Sequence, residues 1–158
     1  MKQSPEWTRI QERMLPGRLT RDGMLGSDKR SPPEIIDADE ATVKRLGVSH
    51  EAIARRLREL QTAARERLGD SVVIDEAYEL RSEETRGIIP CPFGHPGRFL
   101  KCVTFLTHLP TGKKLQWTDL GIHMIETHGF YEGRGSPFRL EPEEVVEVLG
   151  IERTGEDG

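Results

Sequence analysis

Cys-Pro-Phe-Gly-His at residues 91–95 and Trp-Thr-Asp-Leu-Gly-Ile-His-Met-Ile-Glu-Thr-His-Gly at residues 117–129 bracket the stretch on which the fold turns. Between them, Phe99 to Leu109 reads as a strand, Pro110-Thr111-Gly112 as a turn, and Lys114 to Trp117 as the returning strand. Alternation sets Phe99, Lys101, Val103 and Phe105 on one face and Leu100, Cys102, Thr104 and Leu106 on the other. A short helix follows, opened by Thr118 or Asp119 and closed by Gly129. The chain holds two cysteines and five histidines, and four of these seven fall in two close pairs: Cys91 with His95 at the tight turn, His123 with His128 on the helix.

Thiolate and imidazole are the donors zinc prefers, and two ligand pairs on a turn and a helix can converge tetrahedrally. A cysteine at a Cys-Pro-x-Gly turn suits the task, because the glycine lets backbone amides approach the sulfur. Positions five apart on a regular α-helix point about 140° apart, so the helix must tighten or unwind near His128 for both histidines to bind one ion. Cys102 is a rival to His95 for the fourth place, though its strand face assigns it to the core. The plain alternative is a buried Cys91 beside ordinary turn and helix histidines. His50 and His108 read as surface or strand-end residues.

Residues 88–130 resemble a ββα or treble-clef zinc finger, in which a β-knuckle supplies two ligands and a helix the other two. That resemblance implies a structural zinc on Cys91, His95, His123 and His128. His95 stands where the family carries a second cysteine, and the gap from His95 to His123 is wider than the family's. No catalytic residue is expected. His-x-x-Glu-x-His differs from the metalloprotease patterns, and four protein ligands leave no position for water. Glu126 as the general base of a zinc hydrolase is the remaining enzymatic reading.

The 158 residues are 35% hydrophobic, 6% aromatic and 32% charged, polar for a packed globule. Two cysteines make no disulfide framework. No apolar run is long enough for a membrane span and Met1 to Pro5 lead into no apolar signal segment, so a cytoplasmic location is expected. The net charge is −4, yet no acidic residue lies between Glu84 and Asp119, where Arg86, Arg98, Lys101, Lys113 and Lys114 stand.

The expected fold is α+β: N-terminal helices, then a small antiparallel sheet with the zinc-clipped short helix. Trp7, Ile10 and Met14 suggest a first helix, followed by a Gly- and Pro-rich stretch. Residues 1–33 are therefore expected to be a flexible extension or linker that is mobile or docks on a partner chain. Residues 34–69 read as a helical pair, with Gly47 closing one helix and Ser49 capping another that runs to Leu68. Residues 70–153 form the zinc module. Within them, 71–80 and 85–89 are expected to pair as a hairpin through Ser82-Glu83-Glu84, Gly133 to Arg139 to form a connecting or anion-holding loop, and Pro142 to open a last helix ending at Gly150. Beyond Arg153 the tail is expected to fray.

Ala41 to Leu60 resembles a bacterial helix-turn-helix, with Leu46, Gly47, Val48, Ser49, Ile53 and Leu57 at turn and core positions. The resemblance puts Arg55 and Arg56 on a recognition helix. Two partner classes follow for a zinc-dependent interaction or regulatory module. Nucleic acid is favoured by Arg55, Arg56, Arg98, Lys101, Lys113 and Lys114 with nearby aromatics. Another protein, or a second copy, is favoured by the acidic total and the N-terminal arm.

Overall fold

Ser31 shows why the first long helix begins where it does. Its hydroxyl accepts the Glu34 N–H at 3.4 Å while the Glu34 carboxylate accepts the Ser31 N–H at 2.8 Å, a reciprocal cap reinforced by Pro32 at the first helical position. In the computed structural model, which describes residues 4–153, this helix is α2 (Pro32–Leu46) and ends on Gly47 in the left-handed conformation. It is preceded by α1 (Pro5–Arg13) and followed by α3 (His50–Arg65), capped by Ser49. The strands are β1 (Val72–Ile74), β2 (Tyr78–Ile89), β3 (Phe99–His108) and β4 (Lys114–Thr118), all antiparallel in sheet order 1-2-3-4. Thr118 caps α4 (Asp119–His123), which continues as a π-helical turn (Met124–His128), and α5 (Pro142–Leu149) closes the described chain. The protein is α+β.

The inner face of the sheet carries Leu80, Leu106, Leu115 and Trp117, all buried under the Ile53, Leu57, Leu60 and Ala64 stripe of α3. Val145, Val148 and Leu149 of α5 join this core, and the Tyr78 hydroxyl donates to the Val148 carbonyl at 2.6 Å. Cys102 and Thr104 share the inward face, as alternation from Leu100 predicts.

Three sequence expectations need correction. The hairpin before the knuckle turns at Asp75 and Glu76, both at φ +56°, instead of Ser82-Glu83-Glu84, which lie within β2. Ser82 is buried in the inward register and Glu84 reaches the Arg65 guanidinium at 3.1 Å, so these polar residues have partners inside a strand. Helix α3 ends at Arg65, and Leu68 stands in the left-handed region fully exposed; the apolar stripe stops at Ala64 because the helix stops there.

The third correction concerns the N-terminal extension, whose described part, residues 4–33, carries side chains that pack on its own chain. Ile10, Met14, Met24 and Leu25 are buried in a second apolar cluster with Ile35, Ile89, Cys91, Leu120, Met124 and Phe130. Backbone bonds tie this segment to a distant loop: Gly133 N–H donates to Met24 O at 2.8 Å and Ser27 N–H to Arg134 O at 2.9 Å. Gly26, at φ +58°, permits the contact, since a Cβ there would lie 2.3 Å from the Ser136 nitrogen. The Gly- and Pro-rich composition marks tight turns and close approaches here. The tail expected to fray beyond Arg153 lies outside the described residues.

Candidate metal centre

Pro90 ends β2, and Cys91 opens the knuckle with its side chain buried. The Gly94 N–H donates to the Cys91 carbonyl at 3.1 Å and Gly94 takes φ +81°, closing a tight turn that a side chain would strain. This turn aims the Phe93 and His95 amides at the Cys91 sulfur. Burial raises the thiol pKa, and these two N–H bonds and the Arg13 charge act against the rise. Arg13 also grips the knuckle directly, donating from Nε to the Pro92 carbonyl at 2.7 Å.

The opposite pair resolves the spacing problem by widening the helix. Past His123 the backbone becomes a π-helical turn from Met124 to His128, ended by Gly129 at φ +65°. In a π turn the repeat lengthens to i→i+5, which brings positions five apart onto one face. His123 and His128 therefore both face Cys91. The three ligand atoms of Cys91, His123 and His128 lie within 4.8 Å of one another, and Cys91 Sγ is 3.5 Å from His128 Nε2. Zinc bond lengths of about 2.0–2.3 Å separate tetrahedral ligands by roughly 3.3–3.8 Å, so closure needs a contraction of at most about 1–1.5 Å.

His123 Nε2 is buried without a hydrogen-bond partner, which costs stability unless something accepts or binds it. Its other nitrogen, Nδ1, meets the Thr127 hydroxyl at 3.4 Å. Phe99 stacks on the His123 ring at 4.4 Å and Phe93 on the His128 ring at 4.1 Å, so both imidazoles are held from one side by an aromatic wall. Burial lowers the pKa of His123. It lowers His128 to about 4, and the neighbouring His123 and His95 add to the effect. Both rings are thus neutral at physiological pH, the form that ligates a metal.

His95 stands beside this group and outside the converging set. Its ring centroid is 4.9 Å from that of His123 and 5.8 Å from that of His128. The Pro96 carbonyl, 2.9 Å from Nδ1, can only accept, so Nδ1 carries a proton in this contact. Cys102, the rival, is buried on β3 in the core face and is not among the converging ligands. His50 meets the Tyr131 hydroxyl at 2.8 Å and His108 the Thr111 hydroxyl at 2.7 Å, both away from the group. Glu126 is held by the Arg58 guanidinium of α3 at 3.0 Å.

No family model, curated protein or solved structure matches this chain. The centre stands on its own residues.

The six basic residues selected from sequence are dispersed. Arg98 and Lys101 lie beside the knuckle at the start of β3, whereas Lys113 and Lys114 lie at its far end, where Lys114 pairs with Thr107. Lys113 bonds Glu147 at 3.2 Å. Arg55 is exposed on α3, and Arg56 is engaged by Glu59, Asp75 and the Tyr78 ring. Sequence reading missed Arg13 and Arg21 of the N-terminal segment. Arg21 shares a cavity lining with Lys101. The available signal was the presence of four arginines, Arg9, Arg13, Arg18 and Arg21, in one short segment.

Metal binding by these residues carries a proton signature. With both imidazoles already neutral and the Cys91 thiol raised, the proton displaced near neutral pH comes from the cysteine. The logarithm of apparent metal affinity is expected to rise by about 1 per pH unit from about pH 7 to 8. Competition against a chromophoric chelator across that range measures the slope; a flat profile means the thiol is not a ligand.

Proposed function

We propose that this chain is a zinc-stabilised nucleic-acid-binding module, with one structural zinc on Cys91, His123 and His128 and with His95 as the fourth ligand. The donor set supports zinc, since one thiolate with imidazoles suits a borderline ion. A structural assignment is favoured by Glu126, whose carboxylate is turned to the Arg58 guanidinium at 3.0 Å. The two walls the ion would join both reach the second apolar cluster, the knuckle through Cys91 and the π turn through Met124.

The observation that carries the nucleic-acid reading is the distribution of ion pairs. Several arginines are neutralised, Arg30 by Asp28, Arg58 by Glu126, Arg65 by Glu84, Arg81 by Glu83 and Arg139 by Asp39, whereas the exposed Arg9, Arg18, Arg55 and Arg67 have no carboxylate within 4.0 Å among the described residues. Near the start of β3, Arg86, Arg98 and Lys101, and Arg21 in the cavity lining that it shares with Lys101, likewise have no carboxylate within 4.0 Å among the described residues. Lys101 runs along the Gly87 backbone, next to Arg86. Unpaired cations near the start of β3, with Arg21 and Lys101 in one cavity lining, fit the footprint expected of phosphate contacts.

Four such contacts predict a salt slope near −3 for a single strand, from about −0.7 per neutralised phosphate. Fluorescence anisotropy with a labelled oligonucleotide at several salt concentrations measures it. Arg86→Glu with Lys101→Glu is expected to weaken binding at least about tenfold and to flatten the slope. Salt-independent binding, or full affinity in the double variant, contradicts the proposal. The packing of α1 on its own knuckle, with Trp7 edge-on to Phe93 at 6.0 Å, gives the alternative of an arm wrapping a neighbour no support.

A further inference from the structure

Residues 19–24 arch over the outer face of the sheet and leave a cavity of about 310 Å³ beneath them. Its walls are mainly apolar: Leu19 on the arch, Val103 on β3 and Phe138 from the loop before α5. Arg21 and Lys101, two of the unpaired cations, belong to the same lining, together with Asp22. So does Glu132, which is 5% exposed, stands at φ +69° and accepts the Ser136 hydroxyl at 2.6 Å. Burial pushes the Glu132 carboxyl up to about 7, so near neutral pH it can donate as well as accept. A non-glycine residue held in the left-handed region beside a cavity is a strained feature of the kind that gathers at binding sites.

We infer that this cavity receives one unstacked base of a single-stranded nucleic acid, whose backbone runs over Arg21 and Lys101. The inference rests on the nucleic-acid reading above and assigns its substrate class. A base is a flat body with apolar faces and hydrogen-bonding edges. It matches a cavity with apolar walls, the hydroxyl of Thr118 and the carboxyl of Glu132. The volume falls at the lower end of the roughly 300–1,000 Å³ of ligand pockets, which suits one nucleotide. Duplex DNA keeps its bases stacked and offers only backbone and groove edges, whereas a single strand can splay a whole base into a pocket next to the cations that hold its phosphates.

The test uses the intact, metal-loaded chain with a labelled single-stranded oligonucleotide and a duplex of equal length. Val103→Trp and Leu19→Trp each fill the cavity from opposite walls, and thermal melting confirms that each variant is folded. Wild type is expected to prefer the single strand by about tenfold or more, the scale of one base contact. At least one folded variant is expected to lose that preference while keeping salt-dependent binding to the duplex. Equal wild-type affinity for strand and duplex, or an undiminished preference in both folded variants, overturns the inference and leaves the basic surface standing. Absence of any salt-dependent binding by wild type overturns the nucleic-acid reading and this inference with it.

Discussion

Stripping the metal with a chelator is expected to lower the melting temperature by roughly 8–16 °C, because an ion present at about 1,000 times its Kd stabilises by about 4 kcal/mol and each kcal/mol shifts a domain of this size by about 2–4 °C. The loss should be local first. The main core, from α3 to Trp117, contains none of the ligands, whereas Cys91 and Met124 sit in the second cluster with Ile10, Met14 and Phe130. Trp7, packed on Phe93 next to the knuckle, should therefore change its fluorescence before Trp117, which is 1% exposed in the main core. Single-tryptophan variants separate the two signals. Cys91→Ala and His128→Ala should each weaken metal affinity by more than the 10–100-fold typical of supporting residues. A protein whose melting is indifferent to chelator does not use these residues for metal.

Replacing Arg139 by methionine should cost about 3–5 kcal/mol, as for any buried pair broken from one side. The Arg139 and Asp39 side chains are each 6% exposed and meet at 2.6 and 2.9 Å. Arg139 also donates to the Glu132 carbonyl at 2.8 Å and to Glu141 at 2.9 Å. Methionine preserves much of the side-chain volume and leaves Asp39 without a counter-ion, so the loss reflects an uncompensated charge. Asp39→Asn in the same chain should recover a large part of it. Urea denaturation of both single variants and the double variant gives the coupling; additive losses contradict a direct pair.

Arg139 also shows where reading the sequence stopped. The Gly133 to Arg139 segment suggested a connector or an anion loop, and nothing in its composition marks Asp39, 100 positions earlier, as the partner. Local signals did better. Ser49, Gly47, Thr118, Gly129 and Gly150 mark helix ends by side-chain bonds and left-handed conformations that depend on neighbours in sequence. Alternation on β3 gave the inward face because one side of a sheet must be buried. The turn at Asp75-Glu76 was hidden because neither residue is glycine or asparagine, while Ser82-Glu83-Glu84 has a turn-like composition in a continuous strand.

At the centre, residue types and spacing picked out Cys91, His123 and His128, and the five-residue gap required an irregular helix. Its solution, a widened turn and not a tightened or unwound one, depends on how Met124 and Ile125 bury on different sides of the helix, one in each apolar cluster. The buttressing of the knuckle by Arg13 was out of reach for the same reason as Arg139. It joins residues 79 apart, and a sequence carries no local trace of such a contact.

X-ray absorption at the zinc edge, on protein purified without chelator and with its metal content measured on the same sample, tests the central claim most directly. The account predicts one zinc per chain with one sulfur at about 2.3 Å and two or three imidazole nitrogens at about 2.0–2.1 Å. An absence of metal, or a shell of oxygen without sulfur, would contradict it.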